Sequence, residues 1–386
     1  MISIKDRLFL DIRVNSVPLP LELLAFDSLT MHSAYPFLFP CAQLVIADNI
    51  KYFTQYPIVD GDIISITTGK LMDESQENNT RVFRVFDSRN SQQGNSHVYT
   101  FDLIFGNIKF VNENSKASYK GRVSDVFREI ADYCNMEYEI APTADSQIWY
   151  PLGAKRALFI KEITKYAYSS NKSCFISGVT TSGKLRLVNL ETLDFANPKV
   201  IMVYNNKDTK NSIRIADRKE YTSSGLENSM SAYKSHMLLQ DTDKTEVVSS
   251  VEVPVKSNTL NVNDNINKDL QGSNFIFSPI DNGNTHPNYN QAKYQNGRII
   301  STFSKGLIVV TDEESKADLL DVTNYIDFAM SANKVEMNKL LSGGYLITAK
   351  TILIRVNQYY EKMQLMRQGF NADVITQNSL NLIGVS

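Results

Sequence analysis

Apolar and polar residues alternate with a period of two through most of the first 111 residues. Ile2, Ile4, Leu8, Leu10, Ile12 and Val14 follow this pattern, and it returns at Leu44/Ile46, Ile64/Ile66, Val82/Arg84/Phe86 and from Val98 to Leu103. Such alternation marks strands with one buried face. The runs at 42–48, 60–69, 81–87 and 97–107 are each too short to bury a face alone, so together they predict a small closed or nearly closed antiparallel barrel over residues 1–111.

The period then changes. Val123, Val126, Phe127, Ile130, Ala131 and Cys134 fall on one helical face, and Phe159, Ile163, Tyr166 and Ala167 form a second stripe. Two helices over a sheet supplied by 174–179 and 184–190 predict an α/β module spanning 112–199. The turn between those strands holds Gly183, which is free to take positive φ.

Alternating strands resume at 199–206 and 211–217, then again at 298–303, 306–312 and 345–356. They predict a second barrel built from 200–232 and 298–358. The segment 233–297 is rich in Asn, Ser and Asp and reads as an insertion with a small core contribution, partly ordered by a strand near 247–255. Residues 324–341 read as a helix, and 359–386 as a C-terminal tail with a helix over 357–370. The fold class is therefore α+β, predominantly β, with two tandem small antiparallel barrels and an intervening α/β module.

The chain has 386 residues, enough for two to four domains of about 100–200 residues each. Its formal net charge of -2 lacks the basic excess of a protein that grips nucleic acid through phosphates. Cys41, Cys134 and Cys174 are odd in number and sit among apolar neighbours, which predicts buried reduced thiols and cytoplasmic production. Lys5, Asp6 and Arg7 interrupt the N-terminal strand where a secretory signal needs an apolar run, and no stretch reaches the roughly 18 apolar residues of a membrane span.

Candidate chemistry is sparse. Gly178, Gly183 and Lys184 match the spacing of a phosphate-binding loop, but Leu185 stands where a hydroxyl must reach magnesium, and a strand follows where a helix must start. Asp241, Asp243, Thr245 and Glu252 echo calcium-loop positions, yet Glu246 takes the place that demands Gly. His32, His97, His236 and His286 are scattered without metal-ligand spacing. The carboxylate groups Asp73/Glu74 and Asp312/Glu313/Glu314 lie beside turn residues, the setting of solvated charges. No catalytic residue, cofactor or metal is predicted. The loop at 35–40 is different: Tyr35, Phe37, Leu38 and Phe39 lie around Pro36 and Pro40, a stiff connection with more apolar surface than a solvent-facing loop carries. It reads either as a plug folded over the first barrel or as an interface loop facing a partner.

The order of these features resembles the baseplate hub proteins of contractile-tailed bacteriophages, and through them the hub part of type VI secretion spike proteins. The resemblance is carried by residues 28–49, by Asp60, Gly61 and Asp62 opening a strand, by 81–88 followed by 97–107, and by 119–136 leading into the first helix of the module. It covers about Ile4 to Leu190, and beyond that rests on architecture and length. It implies a virion protein of the tail tip, assembled in the host cytoplasm as a homotrimer whose six related barrels form a ring. Such a ring links the tail tube to a central spike, and its lumen passes the tape-measure protein and then DNA without specific binding. Two other readings stand beside it. A receptor- or carbohydrate-binding adhesin would use an exposed aromatic platform, for which Phe275, Phe277, Tyr289 and Tyr294 are the candidates. A tail-associated cell-wall hydrolase would need paired buried carboxylates or a zinc set.

Overall fold

The computed structural model describes residues 2–4, 8–35, 39–70, 79–93, 96–192, 200–204, 212–222, 235–240, 247–253, 274–279, 285–301, 303, 305–312, 325–330, 341–356 and 358–367. The first barrel holds β1 (Leu8–Val14), β2 (Ala25–Ala34), β3 (Cys41–Asp48), β4 (Ile63–Lys70), β5 (Asn79–Gln93) and β6 (Ser96–Phe105). These pair antiparallel in the order β1-β4-β5-β6-β3-β2. The period-two residues Leu10, Ile12, Leu44, Ile46, Ile64 and Ile66 are fully buried in its core, so the alternation resolves inward as the pleat requires. Cys41, however, is exposed at the start of β3 rather than buried; Cys134 and Cys174 are buried free thiols. At position 41 the strand alternation places the side chain on the outer face.

The module follows, with α1 (Val123–Tyr133), β7 (Tyr138–Ile140), α2 (Arg156–Thr164), β8 (Phe175–Val179) and β9 (Leu185–Asn189). Its sheet runs β7-β9-β8, with β7 parallel to β9. The predicted stripes Val123, Val126, Phe127, Ile130 and Phe159, Ile163 share one core with Phe175, Leu185 and Leu187. Buried Asp145 anchors the start of α1: its carboxylate accepts from the backbone N–H of Val123 at 2.8 Å and of Tyr168 at 2.7 Å. Burial pushes its pKa up, and these hydrogen bonds oppose that shift.

The second barrel uses β10 (Ile201–Tyr204), β11 (Ser212–Arg214) and β12 (Asp217–Thr222). After an insertion containing β13 (Ser235–Gln240), β14 (Val247–Val253), β15 (Asn274–Pro279) and α3 (Tyr289–Ser301), it continues with β16 (Lys305–Thr311), β17 (Tyr325–Met330), β18 (Gly343–Arg355) and β19 (Gln358–Arg367). Pairing runs β10-β17-β18-β19-β16-β12. It closes on itself where the Ile215 N–H bonds Val203 at 2.9 Å and the Ala216 N–H bonds Val310 at 2.8 Å. The β10·β17 and β10·β11 pairs are parallel, so this barrel is not purely antiparallel as expected.

Three local readings fail. The helix expected over 324–341 is strand β17 where it is described: Ile326 and Phe328 alternate into the core, with strands on both sides. The helix expected over 357–370 is strand β19, in which Tyr359, Glu361, Met363, Leu365 and Arg367 are buried in alternation. Of the strand expected over 298–303, residues 298–301 belong instead to the end of α3.

The two barrels repeat one design in register. In the β5–β6 hairpin, Val85 pairs with Leu103 and Asp87 with Asp102 across a bulge; in β18–β19, Ile347 pairs with Leu365 and Ala349 with Gln364 across the same bulge. Ile63 opposite Arg84 in β4·β5 matches Tyr325 opposite Leu346 in β17·β18. By the same chain of pairings β16 stands for β3 and β12 for β2, with Glu220 in the place of Met31.

Candidate assembly interface

The barrels meet edge to edge within the chain. Beyond its bulge, β18 leaves β17 and pairs with β2, from Ala349 opposite Ala34 to Arg355 opposite Ser28. A bulge re-aims a strand. Here Tyr345 and Ile347 are buried before it, and Ile352 and Ile354 after it. The β18–β19 hairpin therefore feeds two cores: Ile347, Met363 and Leu365 enter the second barrel, while Ile352, Ile354 and Tyr359 enter the first. Between these sets lies a fully buried ion pair, with Lys350 Nζ 3.1 Å from Glu361 Oε2 and the Tyr359 hydroxyl donating to Glu361 Oε1. On the other side of the seam His32 Nδ1 meets Thr351 Oγ1 at 2.8 Å, and burial, then Lys362, lower its pKa.

Of the predicted interface loop, Phe37 and Leu38 lie outside the described residues. Tyr35 and Phe39 are half-buried. Tyr35 packs beside the cluster of Cys174, Ile176, Val188, Leu190 and Leu346, and its N–H bonds Thr348 at the β18 bulge at 2.7 Å. Burial pushes its phenol up to about 12. Phe39 packs against the core of the two helices.

The Asn-rich insertion contributes more than its apolar content promised. Its helix α3 docks on the module through polar groups: the Asn296 amide donates to the carbonyls of Lys165 and Ala167 at 3.0 Å each, just past the end of α2, and its oxygen accepts from the Phe175 N–H at 3.0 Å. Gln295 Nε2 donates to the carbonyls of Ser170 and Ser173. Ahead of the helix, buried His286 sits among Trp149, Tyr168 and Tyr289, its Nε2 donating to the Tyr166 carbonyl at 3.3 Å. Burial lowers its pKa to about 4. The face that docks mixes the amides of Gln291, Gln295 and Asn296 with buried Ala292 and Ile299, the latter in one cluster with Cys174, Ile176 and Val188.

The phosphate-loop lookalike is a hairpin. Gly178 lies in β8, Gly183 takes φ of +90° in the turn, the Thr180 N–H bonds the Lys184 carbonyl at 2.9 Å, and Leu185 is buried in β9. A cavity of about 480 Å³ lies between this turn and the first barrel, lined by Thr80, Val82, Phe105, Asn107, Ser182 and Glu137, whose carboxylate is exposed and 3.6 Å from Lys184 Nζ. Of the calcium-like set, Asp241, Asp243 and Thr245 lie outside the described residues, and Glu252 belongs to β14. Asp73, Glu74, Glu313 and Glu314 also lie outside them. His97 and His236 stand in β6 and β13. Among the described residues no three His, Cys, Asp or Glu side chains gather as a metal site. Of the aromatic-platform candidates, Tyr289 stacks on Tyr166 with ring centroids 4.0 Å apart, Tyr294 is half-buried on α3, and Phe275 and Phe277 belong to β15.

No protein-family model matches the chain. No curated protein matches it by sequence. Solved structures do match, over nearly its whole length. The 43 kDa tail protein of prophage MuSo2 from Shewanella oneidensis aligns at a TM-score of 0.62 and 8% identity, covering 94% of this chain and 98% of that one. A tail protein from Neisseria meningitidis MC58 aligns at 0.60 and 9%, covering 94% and 97%. An E. coli component of the type VI secretion system, described as similar to the T4 bacteriophage tail proteins gp27 and gp5, aligns at 0.51 and 7%, covering 95% and 80%. The chain therefore has the fold of phage tail and type VI spike-related proteins, the hub-like fold that the order of its elements resembles.

Proposed function

We propose that this protein is a structural subunit of a bacteriophage tail tip or baseplate hub. Three copies form a ring of six barrels that joins the tail tube to the central spike, and the lumen passes the tape-measure protein and then DNA. The observation that carries this reading is the in-register duplication of the barrels, joined edge to edge through β2 and β18. A subunit that already contains two copies of one building block presents quasi-sixfold surfaces to a tube and threefold surfaces to a spike. The near-neutral balance of 40 basic against 42 acidic residues suits a conduit that must release phosphates. The reading assigns no catalytic step to the chain, and places it in the virion after assembly in the host cytoplasm. Light scattering with size-exclusion chromatography tests it. A mass three times 43.6 kDa, with rings by electron microscopy, is the expected result. A strict monomer, both at high concentration and when mixed with its tail partners, overturns it.

A further inference from the structure

The internal repeat leaves one strand without its counterpart's partner. After the bulge in β18, residues 349–355 pair with β2. After the matching bulge in β5, residues 87–91 pair with β6 alone among the described residues, and Asp87, Ser88, Arg89, Asn90 and Ser91 are all exposed. The strand that stands for β2 in the second barrel is β12, and it pairs with β16 alone among the described residues. Both are sheet edges, which a soluble protein must pair, cover or charge.

We infer that β5 of one copy receives β12 of a second copy as an added antiparallel strand, an inference that rests on the ring proposed above. The junction inside the chain dictates the register. Ile352 lies opposite Met31 and Thr351 opposite His32; the same positions in the repeat place Asn90 opposite Glu220 and Arg89 opposite Tyr221, with Ser91 opposite Lys219 and Gln92 opposite Arg218. No like charges meet in this alignment, and each cation of β12 faces a neutral amide or hydroxyl. A slip of one residue would turn every side chain to the other face.

The chemistry of the two edges fits a contact made after folding. Ile352 and Ile354 occupy the internal junction, where they are never solvated, and both are buried. Their counterparts Asn90 and Gln92 must meet water in a free subunit, and they are polar. Both edges lie on one chain at different places, so the contact is head-to-tail, and a head-to-tail contact closes into a ring when its rotation allows.

The test is a cysteine pair. Directly opposed residues of an antiparallel pair bring their Cα atoms to about 4.5–5.5 Å, within disulfide reach. Asn90→Cys with Glu220→Cys in one chain, mildly oxidised, should give covalent dimers and trimers on a non-reducing gel. Asn90→Cys with Lys219→Cys, shifted by one residue onto the opposite face, should give at least tenfold less. Trimers by light scattering without cross-linking of the first pair, or with equal cross-linking of both, would overturn the strand pairing while leaving the hub reading intact. A monomer by light scattering would remove both.

Discussion

The Lys350–Glu361 pair offers the sharpest test of how the two barrels are held together. Both side chains have no exposed surface and lie at the point on the β18–β19 hairpin where the two cores meet. Lys350→Met fits the same space but leaves a buried carboxylate without its cation, a change that costs about 3–5 kcal/mol. Adding Glu361→Gln removes the orphaned charge and keeps an oxygen for the Tyr359 hydroxyl, so the double variant should lie within about 1–2 kcal/mol of wild type. The second substitution should therefore recover about 2–3 kcal/mol of what the first one loses. Urea unfolding followed by circular dichroism reads it. With m near 3 kcal/mol/M, Lys350→Met should lower the midpoint by about 1–1.7 M, and the second substitution should restore most of that loss. A single variant within about 0.2 M of wild type would refute the reasoning, as would a double variant no more stable than the single.

Three further outcomes follow from the module and its docked helix. His286 has a folded pKa of about 4 against about 6.5 unfolded, so its contribution is intact above pH 6.5 and falls by about 1.4 kcal/mol per pH unit as pH drops toward 4; unfolding at pH 7, 5.5 and 4.5 should show a shallower slope in His286→Gln. Asn296→Ala strands the carbonyls past the end of α2 and the Phe175 N–H, and should cost about 2–3 kcal/mol with faster proteolysis near α3; a wild-type cleavage rate contradicts the docking. Gly183→Ala forces a side chain into positive φ and to 3.3 Å from the Phe105 ring, and should cost about 1–2 kcal/mol in thermal unfolding, while ATP titration should show no binding that depends on Lys184.

How far the sequence could be read depends on what each residue faces. Barrel 1, helices α1 and α2 and the hairpin at Gly183 were legible because their buried positions are Leu, Ile, Val and Phe at unbroken periods. β17 and β19 were not. Met, Glu, Lys and Gln are good helix formers, and in β19 they outweighed a period of two that was visible at Tyr359, Met363 and Leu365, with Glu361 and Arg367 as its buried members. Helix α3 escaped notice because the amides of Gln291, Gln295 and Asn296 fill much of its inner face, and the few apolar members beside them, Ala292 and Ile299, stand in an Asn- and Gln-rich run. The loop at 35–40 was recognised as holding excess apolar surface. Its described aromatics, Tyr35 and Phe39, pack against clusters whose members lie more than 60 positions away, which no local pattern could show. The duplication shows in the sequence as recurring alternation, with Val85 and Leu103 matched by Ile347 and Leu365, but its register is recorded only in pairing and in the position of a bulge.

The sequence's silence on register has a physical source, and it leads to a last prediction. The two hairpins share a backbone but meet different neighbours: one is committed to its partner barrel as the chain folds, whereas in the proposed ring the other waits for a second molecule. Selection on the first is for buried area, and Ile352 lies against Met31 with almost no exposed surface. Selection on the second is for solubility before assembly, and Asn90 and Glu220 are both exposed. Rewriting the second junction in the language of the first should therefore trade solubility for affinity. Asn90→Ile with Glu220→Met recreates the internal pair at the proposed subunit contact, and burying two such side chains contributes about 1.5–3 kcal/mol each. Sedimentation at falling concentration should show the trimer persisting to at least tenfold greater dilution than wild type, while Asn90→Ile alone should increase aggregation of the free subunit. A double variant whose trimer dissociates at the wild-type concentration would mean that these two positions do not face each other across copies.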